Sequence, residues 1–203
     1  MPRPPLSRGL TAAGRPQSPG AVDVQLRIEL LRIKPHVWRR VLVPETVTLV
    51  RLHTILQAAM GWTDSHLHQY EIANKRYGIE DPDWPSSVPI FDERRARLKS
   101  FIEDHVKDFT YLYDFGDGWE HRVTIEELVA SQVSRQPVVC TAGENACPPE
   151  DVGGEPGYEM FLAAIAAPRN KRHVELTEWI GYPFDPHAFD LNAVNQRLAR
   201  IKP

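Results

Sequence analysis

Three stretches of the chain carry side chains that hold metals or move protons. In His66-Leu67-His68, with Tyr70 two residues on, the two imidazoles sit two positions apart. On a strand, where side chains alternate, both project from one face and can chelate one divalent ion. Asp114 and His121 flank Gly116-Asp117-Gly118-Trp119, a carboxylate and an imidazole on either side of a turn. Glu150 and Asp151 stand just before Gly153-Gly154, where backbone can approach another group closely. Gathered at one sheet face, His66, His68, Asp114, His121 and Asp151 form a ligand set suited to zinc or manganese with an activated water. Tyr70, Asp117, Trp119 and Glu150 are secondary candidates beside them. Cys140 and Cys147, with six residues between them, are spaced more widely than a Cys-x-x-Cys knuckle. A zinc site built on them needs two partners from elsewhere, such as His66 or His121. Each motif also has a plain structural reading: a cross-strand ion pair at Asp114/His121, chance spacing of two histidines, and two packed loop thiols.

The element that must position these groups is a hairpin over Phe109–Glu126. Asp117-Gly118 or Gly116-Asp117 supplies the positive φ of a two-residue loop. With the first loop, Asp114 lies opposite His121; with the second, opposite Trp119. In both, Asp114 and His121 share a face, and Tyr111, Tyr113, Glu120 and Arg122 share the other. Neither face is purely polar, so cover on both sides is expected, near the middle of a sheet.

Around it the sequence reads as follows. Asp23–Ile33 alternates as a half-buried strand, with a phase slip at Leu30-Leu31 that marks a bulge or burial on both faces. Val37–Val43 is its return strand. Thr48 caps a helix with apolar residues at Leu49, Leu52, Ile55, Leu56, Ala59 and Met60, stopped by Gly61. His53 falls on its solvated flank. Trp62–Ile72 returns as a strand. Tyr77-Gly78 reads as a turn, Asp81–Pro85 as a loop, Asp92–Arg97 as a solvated charge run, and Leu98–Val106 as a short helix. Leu128–Val139 is an exit segment ended by Pro137, and Cys140–Gly157 is a long Gly/Pro-rich loop. Tyr158–Ile165, a turn at Val174–Ile180, and a last helix capped by Asp190 complete the pattern. The fold class is α+β: a mainly antiparallel sheet built from hairpins, with three or four helices packed against it. Residues 1–20 are Pro, Gly, Ser and Arg with little to bury and read as a disordered tail; residues 21–203 form a single domain.

Composition bounds the function. The chain has 203 residues, 42% hydrophobic and 25% charged, with net charge −3. That balance gives no support to binding through phosphate contacts, although Arg39 and Arg40 offer a local pair of cations for nucleic acid. No apolar run reaches the roughly 20 residues of a membrane span. Two cysteines are too few for a disulfide framework, which points to a reduced, cytoplasmic protein.

Taken together, Ile33-Lys34-Pro35 with Trp38-Arg39-Arg40, His66-Leu67-His68, Tyr113-Asp114-Phe115-Gly116-Asp117-Gly118-Trp119 with His121, and Pro148-Pro149-Glu150-Asp151-Val152-Gly153-Gly154 with Gly157-Tyr158 resemble the plasmid ORF-3-like family first noted on Ri plasmids. Some of its members are labelled TnpR or resolvase-like because they travel with mobile elements. The resemblance spans about Asp23 to Ile201 and implies an antiparallel α+β fold. It transfers no catalytic role to any residue.

Three functional expectations follow. The first is a non-enzymatic binding or accessory domain of mobile elements, since no catalytic constellation is complete. The second is a metal-dependent hydrolase or nuclease using the His/Asp set. The third is a resolvase-like protein that binds DNA through the tail, Arg39 and Arg40.

Overall fold

The computed structural model describes residues 22–80, 87–130, 138–169 and 171–201. The expected tail at 1–20, the Asp81–Pro85 loop and the Pro137 stop lie outside the described residues. Among the described residues, eight strands form one sheet: β1 (Val22–Leu30), β2 (Trp38–Pro44), β3 (His68–Ile72), β4 (Lys75–Gly78), β5 (Ile90–Asp92), β6 (Asp108–Tyr113), β7 (Trp119–Ala130) and β8 (Val139–Glu144). Their order is β5-β4-β3-β6-β7-β1-β2-β8. The pairings are antiparallel apart from β4 with β5. Five helices of the described residues join it: α1 (Leu49–Met60), α2 (Leu98–Glu103), α3 (Gly154–Ile165), α4 (His173–Ile180) and α5 (Leu191–Ala199). The class is the expected α+β.

One sheet face is built by the alternation. Val24, Leu26, Ile28 and Leu30 of β1 are fully buried with Val41 and Val43 of β2. Across β3, β6 and β7 the same face carries a ladder of rings: Tyr70 pairs with Tyr111, which pairs with His121, and Tyr113 pairs with His68 and Trp119. Helix α1 lies over this core, with Leu49, Leu52, Ile55, Leu56 and Ala59 buried. Thr48 accepts the Arg51 N–H, and Gly61 closes the helix at φ 99°, its N–H bonded to the Gln57 carbonyl. The opposite face stays open. There Arg40 makes a two-point ion pair with Glu126, and Arg27 stacks on Trp38 at 4.2 Å.

That openness corrects the expectation of cover on both sides of the β6–β7 hairpin, although the hairpin does sit mid-sheet. The register differs as well. Tyr113 pairs with Trp119 and Tyr111 with His121, so the loop is Asp114–Gly118 and Asp114 lies beyond the strand. His121 therefore faces the core with the tyrosines, and Asp114 is not its cross-strand partner. The cause is local: the Asp114 carboxylate accepts the N–H groups of Gly116 and Asp117, an Asx arrangement that builds a longer turn. Other shifts are smaller. The irregularity of β1 falls between Gln25 and Leu26, against β7, not at Leu30-Leu31. The β3–β4 turn is Ala73-Asn74, both at positive φ, and Tyr77-Gly78 belongs to β4. Cys140 lies in β8, so the long loop starts five residues later.

β8 ends the sheet, and its outer edge is occupied. The Asn195 side chain on α5 accepts the Cys140 N–H at 2.8 Å and donates to the Cys140 carbonyl at 3.0 Å. Asp190 caps α5 through the N–H groups of Asn192 and Ala193. Among the described residues no helix is long and apolar enough to cross a membrane.

Candidate functional site

The β3–β6 ladder ends at the pair His68/Tyr113. One step further out, the Asp114 N–H donates to the Leu67 carbonyl at 2.9 Å. Extending the ladder this way brings His66, in the loop between α1 and β3, beside the carboxylate of Asp114. The Ser65 N–H donates to the Tyr113 hydroxyl at 3.0 Å and fixes that loop from the other side.

The 148–154 loop then closes over the turn. The Gly153 N–H donates to Asp117 Oδ2 at 3.1 Å. Gly154 packs so tightly on the turn that a Cβ there would come within 2.5 Å of the Asp117 carbonyl oxygen. Glu150 is held from below: Oε1 accepts the Thr63 N–H at 2.7 Å and the Thr63 hydroxyl at 3.2 Å, and the Tyr113 hydroxyl donates to the same carboxylate. Burial, with the Glu150 charge nearby, raises the Tyr113 phenol well above its usual range, so it remains a donor. Pro148 accepts the Trp62 indole N–H at 2.9 Å.

These ties converge three carboxylates on one ring nitrogen. His66 Nε2 lies 3.0 Å from Asp151 Oδ1, 3.6 Å from Asp114 Oδ2 and 3.9 Å from Glu150 Oε2. It is nonetheless a buried polar atom with no hydrogen-bond partner, because Asp151, although close, lies off the direction of a ring N–H. One ligand atom each from His66, Asp114 and Asp151 falls within a sphere where all are 4.8 Å or less apart. Ligands about 2.0–2.2 Å from a central ion stand roughly 3–3.5 Å from each other, so modest closure meets that geometry. Both aspartates have left-handed backbone, φ 55° and 57°, which Asp tolerates better than most residues. Asp114 is nearly enclosed and the Asp151 side chain is 67% exposed, so the cluster is walled on one side and open on the other. No Lys or Arg pairs with the three acids among the described residues.

The remaining sequence candidates lie elsewhere. His68 turns into the core, its Nε2 2.8 Å from Glu93 and its ring stacked on His53, so His66 and His68 do not chelate together. The reason is that β3 begins only at His68, and His66 in the loop escapes the alternation. His121 is fully buried. Its Nδ1 faces the carbonyls of Tyr111 and Trp119, and burial depresses its pKa to about 4, so it is a neutral core histidine. Tyr70 is buried and donates to the Leu49 carbonyl. Trp119 is buried behind Trp62. Asp117 holds the loop. Cys140 and Cys147 are free thiols outside the cluster; burial pushes Cys147 up to about 12, and the Cys140 thiol donates to the Ala142 carbonyl. Arg39, expected as an available cation, is 3% exposed and donates to the carbonyls of Trp38, Ala59, Glu144 and Asn145. Arg40 is engaged by Glu126.

His53, expected on a solvated helix flank, and Glu93, expected in a solvated charge run, are both buried. His53 Nδ1 meets the Tyr111 hydroxyl and Nε2 meets Asp64, each at 2.7 Å. Thr63 supports the cluster and Asp64 this buried pair; a Thr and an Asp just after a helix stop carry no signal of their own in the sequence.

The family model for plasmid pRiA4b ORF-3-like protein matches residues 23–193. The uncharacterized protein y4hQ of Sinorhizobium fredii (strain NBRC 101917 / NGR234) is 44% identical over 177 residues, covering 86% of this chain and 90% of that protein. The crystal structure of the protein of unknown function MM3350 from Methanosarcina mazei Go1 superposes with a TM-score of 0.78 at 32% identity, over 86% of this chain and 97% of that one.

Proposed function

This chain belongs to the plasmid pRiA4b ORF-3-like protein family, and on that premise we propose that it is a divalent-cation-binding domain. His66, Asp114 and Asp151 are the ligands and Glu150 is the neighbouring acid. The observation that carries the reading is the unbonded Nε2 of His66 facing three carboxylates within 3.9 Å. Like charges so placed repel one another, and a cation at their centre relieves that repulsion. One imidazole and two carboxylates suit manganese or zinc. Three protein ligands leave coordination positions open on the side of Asp151, where a bound water or an anionic group of a ligand completes the shell.

The non-enzymatic role and the hydrolytic role share this ion. The open side favours keeping the hydrolytic one as a second reading, because a metal-bound water there is more acidic than free water. DNA binding through Arg39 gains nothing from the fold, since that guanidinium is spent on backbone carbonyls.

Isothermal titration of chelator-stripped protein with manganese and with zinc tests the proposal. One site per chain is expected, lost in His66→Ala and in Asp114→Asn. Absence of binding heat with both metals, or binding unchanged in those variants, overturns it.

A further inference from the structure

We propose that a second site, a cleft of about 500 Å³ between the C-terminal end of α1, α5 and the 146–150 loop, binds a small organic anion built on a planar ring. Its size falls within the range of small-molecule sites.

The anion-binding element is Arg197. Its Nε–H donates to the Ala58 carbonyl at 2.8 Å. A guanidinium has five donors. The rest of them on Arg197 meet no protein acceptor, and no carboxylate lies within ion-pair distance among the described residues. The group is half-buried, and that burial lowers its pKa. Arg39 lies against the same cleft, but its donors are taken by the carbonyls of Trp38, Ala59, Glu144 and Asn145. A half-buried guanidinium with free donors and no ion pair calls for an anion from outside, and its planar fork of N–H donors matches a carboxylate or phosphate.

The ring-binding element is the aromatic part of the lining. Trp179 at the end of α4 and Tyr182 just after it are 47% and 56% exposed, and both line the cleft. Half-exposed aromatic rings lining the same cleft as a cation suit a flat ring carrying negative charge. Asp190, the acid at that end, is occupied capping α5. Thr63 and Glu150 line the cleft and also border the metal cluster, but the inference does not require the metal.

The test is calorimetric titration with a chelator present, so that its result is independent of metal binding. The probes are indole-3-carboxylate and AMP, which tell a carboxylate source from a phosphate source. Indole and inorganic phosphate are the controls. At least one ring-bearing anion is expected to bind with Kd below about 1 mM, and both controls more weakly by tenfold or more. Arg197→Gln should weaken that binding at least tenfold, and Arg197→Lys less. Since Arg197 also ties α5 to α1, melting curves accompany these variants. Trp179→Ala and Tyr182→Ala, at exposed positions, provide a second arm and should each weaken binding severalfold. Indole binding as tightly as its carboxylate, phosphate binding as tightly as AMP, full affinity in Arg197→Gln, or no binding of either probe overturns the proposal.

Discussion

The imidazoles of His53 and His68 lie face to face, with centroids 3.5 Å apart and planes 4° from parallel. Each meets a carboxylate at Nε2: Asp64 for His53 and Glu93 for His68. Two positive rings at that spacing repel. Burial first, and then His68, lowers the His53 pKa, against the opposing pull of Asp64 and Glu93.

Acid should therefore unfold the protein. His53 and His121 both have depressed folded pKa values. Below about pH 6.5 the unfolded chain takes up protons that the folded one refuses, so stability falls as pH drops through that window. His121, at about 4 when folded, contributes a loss of about 3 kcal/mol across it. Urea midpoints at about pH 7 and about pH 4.5 should differ accordingly. An NMR titration should show the His121 ring neutral at pH values where free histidine is half-charged.

Metal should stabilise the fold. Saturation at 100-fold above Kd adds about 2.7 kcal/mol, seen as a rise in the melting temperature with manganese or zinc. The rise should vanish in Asp114→Asn. It should shrink in Glu150→Gln, where the acid is adjacent and not a ligand.

Gly154 should not tolerate a side chain. Its φ is 66°, and a Cβ would meet the Asp117 carbonyl oxygen at 2.5 Å. Gly154→Ala should cost about 2–4 kcal/mol from strain and overpacking. Gly118, at φ 71° with open space around its missing Cβ, should cost only about 1 kcal/mol for the same change. Denaturant midpoints of the two variants rank them.

Replacing Arg39 should be among the most damaging changes at a charged position. Arg39→Met leaves the buried carbonyls of Ala59 and Asn145 without donors, at about 3–5 kcal/mol. Arg39→Lys should recover little, because one ammonium cannot reach acceptors spread around a planar fork. Chemical denaturation checks both.

The fold was legible where periodicity and caps agree. Thr48 and Gly61 bound α1, Asp190 starts α5, and alternation in Asp23–Leu30 marks β1. The candidate cluster was legible in residue type but only partly in place. His66, Asp114 and Asp151 were named together, yet by a route that put Asp114 opposite His121 and His66 beside His68. Alternation holds only inside a strand, and both His66 and Asp114 sit just past strand ends, where tertiary hydrogen bonds fix direction. Arg39 and Glu93 were misjudged because charge suggests solvent, while their partners, backbone carbonyls of distant loops and a histidine on another strand, leave no trace in local sequence. The cleft lined by Arg197 and Trp179 joins segments that no spacing rule connects.

The amide of Asn195 behaves toward Cys140 as the backbone of an additional ribbon would, filling the donor and the acceptor of that one residue on the rim of the sheet. A neighbouring molecule cannot zip onto that rim without first evicting a side chain anchored on α5. Exposed rims are where β proteins polymerise, so this substitute peptide bond guards the β8 side at Cys140 against chain-to-chain growth.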